Sequence, residues 1–177
     1  MNNNVFLALS KYPSTKEKSP VENQFTEAFA FLMRDNEELL SFILKKLLLN
    51  KSKLIKKISS TDLTIQTQVQ YELGEIYIPD ITIKSKKNNF ALLIENKIQS
   101  SIDEEQLRGY LKVLAKYFPK TTDTFVLVIT HFGVDKEIID GIKDKRLVHV
   151  YWCELYDLLK DYLYDASGGD DTKEHIT

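Results

Sequence analysis

Two short motifs hold the residues whose types and spacing could do chemistry. The first motif contains Asp80, and the second contains Glu95 and Lys97. The last two residues are two positions apart, so on a β-strand their side chains point to the same face. Each motif lies within an apolar run typical of a strand, Ile76–Ile83 for the first and Phe90–Ile98 for the second.

The polar cluster between the two runs, Lys84–Asn89, has the composition of a turn. If the runs pair as a hairpin centred near Lys87, Asp80 falls opposite Ile94 or Glu95. The two carboxylates would then lie within roughly 5–8 Å of each other. Two carboxylates can bind a hard divalent cation through oxygen, and an ammonium beside them can serve a phosphate or an attacking water.

In this spacing, the two carboxylates and the lysine resemble the signature of the PD-(D/E)xK nuclease superfamily, which has the restriction-endonuclease-like fold. Upstream, Val21–Phe29 resembles the first core helix of that fold, which carries an acidic residue. Downstream, Gln106–Tyr110 resembles the helix after the catalytic strand, where a glutamine precedes a leucine and a tyrosine. The resemblance covers roughly residues 21 to 163, most of the chain.

The resemblance implies Mg²⁺-dependent hydrolysis of phosphodiester bonds in DNA, in defence against foreign DNA or in repair, with Mn²⁺ able to substitute. The cation would be held by Asp80, Glu95 and the backbone carbonyl of Asn96. Carboxylates nearby favour the charged form of the Lys97 ammonium, so water orientation and electrostatic stabilisation are the expected roles of this lysine. The alternatives are an aspartate that faces water at a strand end and an ordinary Glu–Lys ion pair.

Helical geometry adds two site candidates. The apolar stripe predicted for the first helix consists of Val21, Phe25, Ala28, Phe29 and Leu32. At 100° per residue, this stripe leaves Glu22 at its margin and Glu27 nearly opposite. We therefore expect Glu22 to be a further metal or water ligand, with stabilisation of the helix dipole as the alternative, and Glu27 to lie on the surface. Gln106 likewise lies at the edge of its helix stripe. The resemblance implies that it packs against the site or touches the substrate backbone, with a polar boundary position as the alternative.

The net charge of −2 argues against a protein that coats polyanions in general. The segment Leu39–Thr61, however, contains six lysines and no acid. A lysine stripe can contact phosphates, and a solvated lysine face is the alternative. The expected nucleic-acid contacts are Lys51, Lys53, Lys56, Lys57, Lys86 and Lys87.

Length and composition indicate one domain, because 177 residues with 43% hydrophobic and 28% charged residues can bury one substantial core. The lone Cys153 excludes an internal disulfide and a multi-cysteine zinc site. No apolar run reaches the ~18 residues that span a bilayer, and the N-terminus lacks a signal-peptide layout, so we expect a cytoplasmic protein that does not bind membranes. A homodimer, and further domains in a longer natural chain, are left open.

The expected fold is α/β, a restriction-endonuclease-like core with a mixed central sheet of about five strands flanked by helices. Residues 1–19 are expected to be a flexible lead-in, 20–164 the nuclease-like domain and 165–177 a disordered polar tail. The alternating run Thr61–Leu73 predicts one continuous half-buried strand, and a helix over Asp103–Phe118 should cross over to a buried strand near Phe125–Thr130. The alternative function is a nuclease-fold domain, catalytically weak or inactive, that binds nucleic acid or protein.

Overall fold

A computed structural model describes residues 21–51, 55, 59–85, 90–98, 100–118, 123–131 and 136–166. The predicted lead-in over residues 1–19 and almost all of the predicted tail lie outside the described residues. The helices are α1 (Val21–Asp35), α2 (Glu37–Leu48), α3 (Glu104–Tyr117), α4 (Lys136–Ile142) and α5 (Trp152–Ala166). The strands are β1 (Leu63–Thr67), β2 (Tyr71–Glu72), β3 (Ile76–Tyr77), β4 (Ile81–Ser85), β5 (Phe90–Lys97), β6 (Asp123–Thr130) and β7 (Leu147–Tyr151).

The main sheet has five strands in the order β1-β4-β5-β6-β7, and β2 and β3 form a separate hairpin. β1 with β4 and β4 with β5 are antiparallel, whereas β5, β6 and β7 run parallel. A parallel pair needs a crossover connection, and α3 supplies it between β5 and β6. The predicted mixed α/β sheet of about five strands and the predicted crossover are therefore confirmed.

The sheet separates two apolar cores. On one side, α1, α2 and α5 pack against the sheet in the first core, and on the other side α3, α4 and the β2–β3 hairpin contribute to the second. Successive residues of β5 alternate between them, with Leu92 and Ile94 in the first core and Ala91 and Leu93 in the second. The same alternation turns the side chain of Glu95 towards the second core, on the side of α3.

The prediction of one continuous strand over Thr61–Leu73 is wrong. The strand ends at Thr67, and Gln68 adopts a left-handed backbone conformation with φ of 54°. Ile65 packs against the first core, whereas Val69 packs against the second. Simple alternation would have kept these two side chains on one face. The turn at Gln68 thus moves the chain from one side of the sheet to the other.

The first motif run, Ile76–Ile83, is also interrupted. β3 ends at Tyr77 and β4 begins at Ile81, with Pro79 buried between them. Proline has no N–H for a strand ladder, which explains the interruption. Asp80 consequently lies immediately before β4 rather than inside a strand.

The apolar stripe predicted for the first helix is wrong in its orientation. Phe25 and Leu32 are 42% and 49% exposed. The buried face of α1 is rotated about the helix axis relative to the predicted stripe, and it includes polar residues. The Phe25 ring packs edge-on against Trp152, 4.6 Å between centroids, and Trp152 in turn packs against the first core. The buried residues of α1 are Thr26, Glu27, Phe29, Ala30 and Met33.

No helix in the described part of the chain is long and apolar enough to cross a bilayer.

The β2–β3 hairpin is docked on α3 through Gly109. A Cβ atom at this glycine would overlap the ring of Tyr77, so only glycine allows the hairpin to approach the helix this closely. The Tyr77 ring also makes an edge contact with Tyr110 at 6.4 Å between centroids. This close packing fixes the hairpin beside the end of β5.

Replacing Gly109 by alanine should destabilise the protein by about 1–3 kcal/mol, because overpacking outweighs the gain in helix propensity. Gly141→Ala in α4 is the matched control, since a Cβ there meets no atom within 4 Å. Denaturant unfolding of both variants, and of Gly109→Ala in a Tyr77→Ala background, measures the effect. If Gly109→Ala lowers the free energy of unfolding equally with Tyr77 and with alanine at position 77, the proposed overlap with the Tyr77 ring is wrong.

Candidate active site

Strand pairing brings the two motifs together at one end of the sheet. Ile81 of β4 pairs with Ile94 of β5, so Asp80 comes level with Glu95. Residues directly opposite in an antiparallel pair share a face. The predicted hairpin register is confirmed, and the carboxylates of Asp80 and Glu95 lie on the same side of the sheet.

Asp80 is held by hydrogen bonds to both carboxylate oxygens. Its Oδ2 accepts a bond of 2.7 Å from the backbone N–H of Asn96, and its Oδ1 accepts one of 3.1 Å from Nε2 of Gln68. The backbone N–H of Gln68 also donates to the carbonyl of Asp80 at 3.1 Å. Gln68 lies in neither of the two sequence motifs, so the sequence analysis did not identify it as a residue of the site.

Glu95 is only 4% exposed, and both of its oxygens have partners. Oε1 forms an ion pair of 2.8 Å with Nζ of Lys97, which confirms that these side chains share a face. Oε2 accepts a 2.7 Å bond from the Tyr110 hydroxyl, which in turn accepts a 2.9 Å bond from Nε2 of Gln106. The carbonyl of Ile78 lies 3.0 Å from the same hydroxyl, but the one hydroxyl proton favours the charged acceptor.

Burial and like charge shape the electrostatics of the site. Burial, followed by the Glu95 carboxylate, raises the pKa of Asp80 to about 7, against the opposing effects of the Asn96 N–H, the Lys97 ammonium and the Gln68 amide. Burial and the same glutamate raise the pKa of Tyr110, so its hydroxyl remains a proton donor. The pKa of Asp80 is thus raised even though three neighbouring donors favour its charged form.

Glu22 lies near the end of β5 but makes a different set of contacts from those expected. Its Oε1 accepts bonds of 2.8 and 3.0 Å from the N–H groups of Ile98 and Ser100, and the Ser100 hydroxyl also bonds to this carboxylate. These bonds tie α1 to the segment after Lys97. A role of Glu22 as metal or water ligand stays a prediction, and the observed contacts favour an anchor for that segment.

The expectation that Glu27 lies on the surface is wrong. This residue is 2% exposed, accepts a 2.7 Å bond from the Thr67 hydroxyl and lies 3.6 Å from the Arg34 guanidinium. A buried carboxylate is tolerated when it is paired and hydrogen-bonded, as here. Glu27 thus links α1 to the end of β1.

A second polar contact fixes α1 behind the site. The side chain of Asn96 points away from its neighbours Glu95 and Lys97, and its Nδ2 donates a 2.8 Å bond to the buried Thr26 hydroxyl. Asn96 is therefore held by two contacts, its side chain by Thr26 of α1 and its backbone N–H by Asp80. The resemblance implies that the backbone carbonyl of the same residue binds the cation.

A cleft of about 960 Å³ opens beside the site, between the β2–β3 hairpin and α3. Lys97, Gln106 and Tyr110 line it, so three side chains of the site face its space. Its charged lining is mixed, with acidic side chains beside basic ones, and the basic ones are Lys97, Arg108 and Lys112. A charged substrate entering this cleft would meet Lys97.

Lys51 does not lie at this end of the sheet. Its Nζ donates bonds of 3.3 and 3.2 Å to the carbonyls of Lys145 and Leu147, and the latter is the first residue of β7. Because β5 and β7 run in the same direction, the start of β7 is opposite to the end that carries Glu95. Contact with nucleic acid stays a prediction for Lys51. Lys53, Lys56, Lys57, Lys86 and Lys87 lie outside the described residues.

The donor set at the site fits a hard divalent cation. Asp80 and Glu95 supply carboxylate oxygens, and each such oxygen has two lone pairs, so the existing hydrogen bonds leave acceptor capacity. The described residues contain no cluster of three or more His, Cys, Asp or Glu side chains suited to a metal. A cation here would therefore depend on two carboxylates, a backbone carbonyl and water.

Comparison with known proteins assigns the family. A family model described as PD-(D/E)XK nuclease superfamily matches residues 15–175. The chain belongs to the PD-(D/E)XK nuclease superfamily, and its mixed five-stranded sheet flanked by helices is consistent with a restriction-endonuclease-like fold. Members of this superfamily generally hydrolyse phosphodiester bonds and usually use divalent metal ions. No curated protein and no solved structure matches the chain significantly.

Without metal, the protein should lose stability between about pH 4 and pH 7. A carboxyl whose pKa is raised on folding, from 3.8 to about 7 for Asp80, stabilises the fold below its unfolded pKa and loses that contribution as pH rises through the folded one. The loss should reach a few kcal/mol, since each tenfold difference in proton affinity is worth about 1.4 kcal/mol.

Urea unfolding in a metal chelator measures this pH dependence, with Asp80→Asn as the test variant and exposed Asp140→Asn as the control. The asparagine variant should gain stability relative to the parent as pH rises, and the control should not. If the free energies of unfolding of Asp80→Asn and the parent differ by the same amount from pH 4 to pH 8, the raised pKa of Asp80 is not the cause of the pH dependence.

Proposed function

We propose that this protein is a metal-dependent nuclease that hydrolyses phosphodiester bonds in DNA. The observation that carries the proposal is the convergence of Asp80, Glu95 and Lys97 on one face, at a sheet end that opens into a cleft. Membership of a nuclease superfamily supports the same reaction class.

The metal would be Mg²⁺, with Mn²⁺ as a substitute, held by the carboxylates of Asp80 and Glu95 and the carbonyl of Asn96. When bound, such an ion polarises a phosphoryl oxygen and makes a bound water more acidic. The support from this chain is the raised pKa of Asp80, because a divalent cation beside this carboxylate would favour its charged form.

Lys97 would act on the water and the phosphate. Its ammonium is 2.8 Å from Glu95 and its side chain is 13% exposed, so it reaches the cleft while remaining paired. A charged donor in this position can orient the attacking water and stabilise the phosphate as negative charge develops.

Tyr110 and Gln106 would support Glu95 rather than take part in proton transfer. Their hydrogen bonds run in series from the Gln106 amide through the Tyr110 hydroxyl to Oε2 of Glu95. A donor on Oε2 fixes the rotation of the carboxylate and leaves Oε1 beside Lys97. Gln106 also lines the cleft, so contact with the substrate backbone remains part of the proposal.

Asp80→Asn and Glu95→Gln should each lower DNA cleavage by at least about a hundredfold and should weaken Mn²⁺ binding. These substitutions keep the shape of the side chains, so the fold should persist. Lys97→Ala should lower cleavage similarly while Mn²⁺ binding is retained, which separates a metal ligand from a residue that positions water. Exposed Glu137→Gln and Lys160→Ala are the charge-matched controls.

Cleavage is measured on supercoiled, linear and single-stranded DNA with Mg²⁺, with Mn²⁺ and with a chelator. The proposal predicts cleavage that requires metal and is lost in the three site variants only. Parental rates in Asp80→Asn or Glu95→Gln would overturn the site. DNA binding with no cleavage under either metal would favour the alternative of a catalytically inactive binding module.

A further inference from the structure

Gln68 occupies a backbone conformation that glutamine rarely adopts. Its φ of 54° lies in the left-handed region, where glycine carries no steric penalty and asparagine is much commoner than glutamine. An unfavourable conformation is kept when the surrounding structure requires the residue, and such residues concentrate at functional sites. The side chain of Gln68 therefore needs a role that glycine would not fill.

That role is visible in its contacts with Asp80. The backbone N–H of Gln68 donates to the Asp80 carbonyl at 3.1 Å, and the side-chain Nε2 donates to Oδ1 at 3.1 Å. A glycine would retain the first bond and lose the second. The side-chain bond is thus the contribution that is specific to glutamine.

The chemistry of the amide suits a neighbour of a cation site. The other carboxylate oxygen, Oδ2, is held by the backbone N–H of Asn96 at 2.7 Å. Two neutral donors, one on each oxygen, fix the rotation of the carboxylate without adding positive charge. A lysine or arginine in place of Gln68 would neutralise Asp80 and compete with a metal ion. The amide leaves the negative charge, and a free lone pair on Oδ1, available.

We propose that Gln68 is a positioning residue for Asp80, whose amide pre-orients the carboxylate for a divalent cation. The inference rests on the proposed function, since it assumes that Asp80 binds metal. Residues that orient a metal ligand usually contribute 10- to 100-fold to metal affinity, which sets the size of the effect to be measured.

Mn²⁺ alone is the probe, and its dissociation constant is measured by titration with electron paramagnetic resonance of the free ion. Gln68→Gly relieves the backbone and removes the amide, and Gln68→Leu keeps the size of the side chain and removes the amide. Both should raise the dissociation constant by about 10- to 100-fold. Gln70→Gly and Gln70→Leu are the matched controls, because Gln70 is exposed in the same loop, and they should match the parent.

Thermal unfolding of the same variants separates positioning from a structural role. We expect Gln68→Gly to keep a thermal midpoint near that of the parent while it loses Mn²⁺ affinity. Unchanged affinity in Gln68→Gly would overturn the inference, as would a loss of affinity that follows a lowered thermal midpoint. If the parent binds Mn²⁺ and cuts DNA but the Gln68 variants do so equally well, only this inference fails. If the parent binds no Mn²⁺, the proposed function fails with it.

Discussion

Two carboxylates held close together out of water are the constraint on which this site depends. Burial and the neighbouring Glu95 carboxylate both disfavour the charged form of Asp80, and its raised pKa reflects this cost. One ammonium, from Lys97, lies against the pair. The remaining support comes from neutral donors, which orient the carboxylates without cancelling their charge. A pair arranged in this way is costly by itself, and the proposed divalent cation would offset that cost. The neutral donors are the Gln68 amide, the Asn96 N–H and the Tyr110 hydroxyl.

The fold provides this arrangement through the position of β5 at the centre of the sheet. Its antiparallel partner β4 brings Asp80 level with Glu95, and its parallel partner β6 requires the crossover helix α3 that carries Tyr110. Apolar cores on both faces hold β5 rigidly, so the polar groups at its end have a fixed frame. On the far face, Thr26 of α1 holds the Asn96 side chain. The site is therefore assembled from long-range contacts around one strand.

The sequence predicted the features that follow from local pattern. Two apolar runs separated by a polar, turn-like segment predict the antiparallel pairing of β4 and β5 and place its centre near Lys87. The break at Gln68 could not be predicted, since apolar and polar residues alternate straight through it and only the tertiary position of Asp80 explains it. The burial of Glu27 likewise depends on its partners Thr67 and Arg34, which helical periodicity does not reveal. Position along the chain also did not indicate which end of the sheet Lys51 would reach.

The most direct test of the central claim is anomalous X-ray diffraction from crystals of the protein soaked in Mn²⁺. Our account predicts one strong peak between the carboxylates of Asp80 and Glu95, with oxygen ligands at about 2.0–2.3 Å and the Asn96 carbonyl among them. The peak should be absent from crystals of Asp80→Asn treated in the same way. A fully soaked crystal with no anomalous density between these carboxylates, or with the ion bound at another place, would contradict the account.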